Sequence, residues 1–182
     1  MPTFDEIFNE LDLRTPHAPL FPTQKWKPEL SRAILDSSDT ELFPNGAPAE
    51  IGACRAGLLL WNDDLDASHE LSQGLHNVTG SFWHAIMHRR EGDASNSRYW
   101  WHKTGSHPAF AELYAAVRSD LETETHPDAL SFAAHLRRAK TWEPVDFVAC
   151  GERVQLSGKD DTWLRRIQHL EIATLLRWCA AT

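Results

Sequence analysis

Residues 79–108 read TGSFWHAIMHRREGDASNSRYWWHKTGSHP, and this stretch decides the fold. Phe82, Trp83, Ile86 and Met87 recur at helical spacing and predict a helix that Thr79 is placed to cap. Glu91-Gly92-Asp93 then turns the chain. Asp93 can cap a second helix bearing Tyr99, Trp100 and Trp101, which Gly105 and Pro108 end. The stretch therefore reads as a helical hairpin. Within its first helix His84, His88 and Glu91 stand at positions i, i+4 and i+7, inside roughly 60° of one another at about 100° per residue. Two imidazoles and a carboxylate could converge there, and the same spacing also suits a solvated polar stripe. Arg90 falls between Ile86 and Trp83 on the apolar arc, where a charge needs a partner.

Working back toward the N-terminus, Ile51–Trp61 is apolar almost all round, the mark of a central buried helix. Asp63-Asp64-Leu65-Asp66 turns into a second helix, expected from Leu65 to about His76, with Ala67, Leu71 and Leu75 on one stripe and His69, Gln73 and His76 beside it. Earlier still, Phe4, Ile7, Phe8 and Leu11 predict a short helix, and Pro16, Pro19, Pro22 and Pro28 an extended connector lying on the surface. Pro28 to about Leu35 reads as another helix. Working forward, helices are expected over Pro108 to about Leu121 and Ala129–Arg138, and Pro144–Cys150 suits a short helix or a strand, with helix preferred. A small excursion at Gly151–Ser157 precedes a last helix from Asp161 to about Ala180. That helix has Trp163, Leu164, Ile167, Leu170, Thr174, Leu175 and Trp178 on its apolar face, with Glu171 in their midst and Gln168 alongside.

The fold expected is all-α: one compact domain over 1–182, with two central antiparallel hairpins packed on a C-terminal helix. Residues 1–48 supply N-terminal helices and the proline-rich connector, 49–108 the hairpins and 109–182 the C-terminal helices. The paired junctions at Asp63-Asp64 and Gly92-Asp93, with aromatic first helices and the Trp100-Trp101 ending, make residues 49–108 resemble tetratricopeptide or Sel1-like hairpins. In such families the hairpins stack into a solenoid whose concave face binds partners; for this chain the resemblance implies helix-hairpin architecture only. The run WHAIMHRREGD is similar to one in bacterial and fungal proteins, a likeness that implies no activity.

Composition limits the functions. A 42% hydrophobic content with eight Trp and eight Phe belongs to a folded globule. A net charge of −8 argues against nucleic-acid or anionic-membrane surfaces. The acidic N-terminus lacks the pattern of a signal peptide, and no segment approaches the ~20 apolar residues of a membrane span, so a cytoplasmic location is expected. Three isolated cysteines suggest no disulfide framework; Cys54 and Cys179 read as core thiols.

Three groupings could carry chemistry. His84, His88 and Glu91, with His69 from the preceding helix as an extra ligand and Glu171 as the next candidate, suit a divalent transition metal such as zinc, iron or nickel. Arg90 and Glu171 are expected to pair in the core, with Arg89 or Asp93 nearby. In a functional version Arg90 holds an anionic group while Glu171 or Glu91 works as a base. Trp83, Tyr99, Trp100 and Trp101 could wall a pocket for a planar ligand, with core packing the competing role, and Arg89, Asp93, Asn96 and Gln73 could line it. His17, His126 and His135 read as surface residues. The leading expectation is a His/Arg/Glu pocket for a metal ion or a small polar or anionic ligand, serving metal-assisted hydrolase or lyase chemistry if it is catalytic. The rival is a non-enzymatic helical scaffold that holds a peptide or protein partner.

Overall fold

A computed structural model describes residues 1–158 and 161–182. The order is α1 (Phe4–Asp12), α2 (Pro28–Asp36), α3 (Asp39–Leu42), α4 (Ile51–Trp61), α5 (Leu65–Gln73), α6 (Val78–Glu91), α7 (Ala94–Thr104), α8 (Phe110–Asp120), a 3-10 turn (Leu121–Thr123), α9 (Pro127–Ala139), α10 (Pro144–Ser157) and α11 (Thr162–Ala181). No strand occurs among the described residues, so the chain is all-α. No described helix is long and apolar enough to cross a membrane.

Helix α4 is the hub. Leu58, Leu59, Leu60 and Trp61 are all buried, as an all-round apolar helix demands, and α5, α6, α11, α2 and α1 pack around it. Helices α4–α5 and α6–α7 form two hairpins built by the same devices at a constant offset. Asp64 and Asp93 each accept a hydrogen bond from the backbone N–H three residues on, capping α5 and α7. Each also sends its own N–H back 2.9 Å to a carbonyl of the first helix, Leu59 or His88. The residue before each cap is left-handed, Gly92 at φ 85° and Asp63 at φ 62°. Ser68 donates to the Ala56 carbonyl and Ser97 to the Ala85 carbonyl, at 2.8 and 2.7 Å, pinning second helix to first.

In this register His88, Arg89 and Arg90 stand where the first hairpin carries Leu59, Leu60 and Trp61. The second hairpin has exchanged apolar core positions for polar ones.

Several boundaries differ from those expected. Asn77, not Thr79, caps α6, accepting from the Gly80 N–H at 2.8 Å; Thr79 lies inside the helix against His107. Helix α5 stops at Gln73 because Gly74 follows, short of His76. Gly151–Ser157 is no excursion: α10 continues to Ser157, since one mid-helix glycine costs only about 1 kcal/mol and the packing of Phe147, Val148 and Cys150 outweighs it. Helix α3 was not anticipated; Ser38 and Glu41 close it with a reciprocal capping box.

Residues 13–27 form a strap across the domain. Asn62 fastens its end, accepting from the Lys27 N–H at 3.2 Å and donating to the Lys27 carbonyl and the Ser31 hydroxyl. The strap's middle is held at Pro19, whose carbonyl accepts from Arg90 at 3.0 Å and from Gln168 at 3.1 Å.

Candidate metal centre

His69 comes from α5, His84 and His88 from α6, and one ring nitrogen of each lies within 4.8 Å of the others. The approach depends on Gly80. A Cβ there would stand 2.2 Å from the Leu75 carbonyl oxygen, so only glycine lets the start of α6 press against the end of the preceding segment. With the helices that close, the His69 ring meets His84 at 5.0 Å and His88 at 5.2 Å between centroids, both edge-on. Trp100 from α7 stacks on the other side of His84 at 4.1 Å and 18°.

The surroundings of His84 and His69 favour their neutral forms. Burial, then the neighbouring His69 and His88, push His84 down from 6.5 to about 4. His69 is also lowered, first by burial and then by His88, with Glu91 and Asp66 pulling weakly the other way. Neutral imidazole carries the lone pair a metal needs.

Two of the three rings have a hydrogen-bonding partner one turn along their own helix. His88 Nδ1 lies 2.9 Å from a Glu91 carboxylate oxygen. His69 Nε2 lies 3.1 Å from the Gln73 side-chain amide. Such partners fix the tautomer and ring orientation of metal-binding histidines. His84 Nδ1 is buried without a full hydrogen bond, and the Gly80 carbonyl has the smallest influence on it.

The structure corrects the expected partners of the buried charges. Arg90 does not pair with Glu171. Its guanidinium, fully buried, caps the end of α4 at the Leu60 carbonyl, reaches Pro19 and pairs with Asp63, which Arg14 also meets at 2.8 Å. Glu171 pairs instead with Arg89, Nη2 to Oε2 2.5 Å, while the Arg89 guanidinium lies 4.5 Å over the Phe147 ring. Desolvation raises the Glu171 carboxyl against the opposing pull of Arg89. Gln168 turns to the strap, not to Glu171. The guanidinium groups and Glu171 thus do not share a hollow with the imidazoles. Glu91 stands behind His88 as its hydrogen-bond partner, outside the group of three candidate ligand atoms.

The remaining candidates separate by position. Trp83 and Trp101 are core residues, Tyr99 is half exposed, and only Trp100 touches the histidines. Asp93 caps α7 and Asn96 donates to it at 2.8 Å. His17 packs on His169 with 4.4 Å between centroids, His126 accepts from the Asp128 N–H, and His135 pairs with Asp146 at 2.7 Å.

Two important residues escaped the sequence reading. His107 is buried against Phe82 and Trp178, accepts from the Ala109 N–H at 3.1 Å, and is pushed down to about 4 by burial. Asp63 joins Arg90 and Arg14 at the strap; the sign available in the sequence was an acid standing where the other hairpin has Gly92. No protein-family model matches the chain, and neither a curated protein nor a solved structure matches it.

Proposed function

We propose that His69, His84 and His88 hold a divalent transition metal ion, zinc by preference, and that this centre acts on a small polar ligand. One observation carries the reading: three imidazoles from two helices meet, with Glu91 hydrogen-bonded to Nδ1 of His88 and Gln73 to Nε2 of His69. Those bonds leave His88 Nε2 and His69 Nδ1 for an ion. A tetrahedral zinc site needs nitrogens about 3.3 Å apart, closer than the 4.8 Å within which these three lie, so binding requires the rings to draw together.

Three protein ligands leave a coordination position open, as catalytic rather than purely structural sites do. A metal bound there supplies Lewis-acid activation of water or of a substrate oxygen, which fits hydrolase or lyase chemistry. Glu91 orients His88, and Trp100 walls one side of His84. A cleft of about 440 Å³ is bounded by Glu91, by Thr23, Gln24 and Lys25 of the strap and by Asp64 and Asp66; Glu91 links it to His88, and none of the three histidines lines it.

The test is elemental analysis of protein purified without an affinity tag. One equivalent of zinc, iron or nickel per chain is expected, and its loss in the doubly substituted His84→Ala, His88→Ala protein. No metal in either, with unchanged stability, rejects the reading and favours the scaffold.

A further inference from the structure

Buried polar groups in folded proteins almost always have partners, so an unpartnered one calls for an explanation. Arg89 is 4% exposed, and its Nε and Nη1 have no hydrogen-bond partner. Arg89 lines a narrow hollow together with Leu20, Phe21, Phe147, Gly151 and Leu164. Apart from the guanidinium, the lining side chains are apolar. An arginine with spare donors at the wall of an apolar hollow matches a molecule with one anionic end and an apolar body.

The hollow is shut in this structure, too narrow even for water, and Phe21 shuts it. The Phe21 ring lies over Gly151, its Cζ 3.8 Å from where a Cβ would stand. Phe21 is only half buried, sits on the strap rather than in a helix, and makes no hydrogen bond. Swinging its ring outward therefore breaks no polar contact, while the strap stays fastened at Pro19.

We propose that the hollow beneath Phe21 is a binding site for a small aryl or branched-chain carboxylate, whose carboxylate meets the free donors of Arg89 while its apolar body replaces the Phe21 ring. The site is separate from the histidine centre and does not depend on it. Arg89 is its anchor because, among the described residues, it is the one buried cationic group lining the hollow, and Phe147 stacks behind it. Acetate lacks the apolar body, and benzamide lacks the charge. Neither satisfies both halves of the site.

The experiment uses the whole chain with benzoate, phenylacetate and isovalerate as probes, and acetate and benzamide as controls, read by calorimetric titration and by thermal shift. Benzoate or phenylacetate should bind the unaltered protein and bind Phe21→Ala about tenfold more tightly, since the plug is gone. Binding should vanish in the Arg89→Leu, Glu171→Leu double variant, which removes both charges together and so leaves neither unpaired. Circular dichroism confirms that this variant is folded. Equal binding of benzamide and benzoate, carboxylate binding that survives in the double variant, or no binding to Phe21→Ala would each overturn the proposal.

Discussion

Nη2 of Arg89 lies 2.5 Å from Oε2 of Glu171, and neither side chain is more than 5% exposed. Its neighbour in sequence, Arg90, turns away to Asp63 and the Leu60 carbonyl. Two adjacent arginines on α6 thus fasten different parts of the molecule, one to α11 and one to α4 and the strap. Cutting a buried pair on one side strands the other charge, whereas removing both is often neutral. Glu171→Ala should therefore cost about 3–5 kcal/mol in denaturant unfolding, and Arg89→Leu with Glu171→Leu far less. A near-neutral Glu171→Ala would mean that the pair does not form.

Asp63 offers a cleaner cut at the other arginine. Asparagine tolerates the left-handed conformation that Asp63 adopts, so Asp63→Asn isolates the charge from the backbone. Loss of the contacts to Arg90 and Arg14 should lower stability by about 2–4 kcal/mol. Faster proteolysis of the strap at residues 13–27 should accompany it.

Stability should also fall in mild acid. His84 and His107 are each lowered from 6.5 to about 4 in the folded protein. Between those pH values the unfolded chain takes up protons that the folded one refuses, so stability drops as pH falls below 6.5 and levels off below 4. Both groups act in the same direction across that window. Unfolding of chelator-treated protein in urea at pH 7.5, 6, 5 and 4.5 measures it, and a flat profile would contradict the burial of these rings.

The thiols should be inert. Cys54 and Cys179 are completely buried, and burial pushes Cys150 up to about 11. A disulfide reagent at pH 8 should find all three cysteines only after denaturant is added. Rapid native reaction at any of them would show that α4, α10 or α11 opens readily.

Much of this was legible in the residues themselves. His69, His84 and His88 could be brought together on paper because helical periodicity puts His84 and His88 on one face and a short turn makes α5 the antiparallel neighbour. Periodicity also exposed Arg90 and Glu171 as polar residues on apolar faces. It could not match them. Successive residues on a helix differ by about 100°, so whether Arg89 or Arg90 meets α11 depends on the rotation of α6 against it, which long-range packing sets. Asp63 stayed hidden because a turn residue has no periodic signature, and His107 because its burial depends on Phe82 and Trp178, far away in the chain. The full length of α10 was missed because Gly151 looks like a breaker until the packing around it is known.

The histidine centre itself is tested most directly by titrating chelator-stripped protein with cobalt(II), following the visible absorption of the ion together with quenching of Trp fluorescence by an ion close to Trp100. Three imidazole ligands predict saturation at one equivalent with a tetrahedral spectrum. Glu91→Gln should weaken binding about 10- to 100-fold by releasing His88 from its orienting carboxylate. A titration without saturation, or one unchanged by replacing His69, His84 and His88 with alanine, would contradict the account.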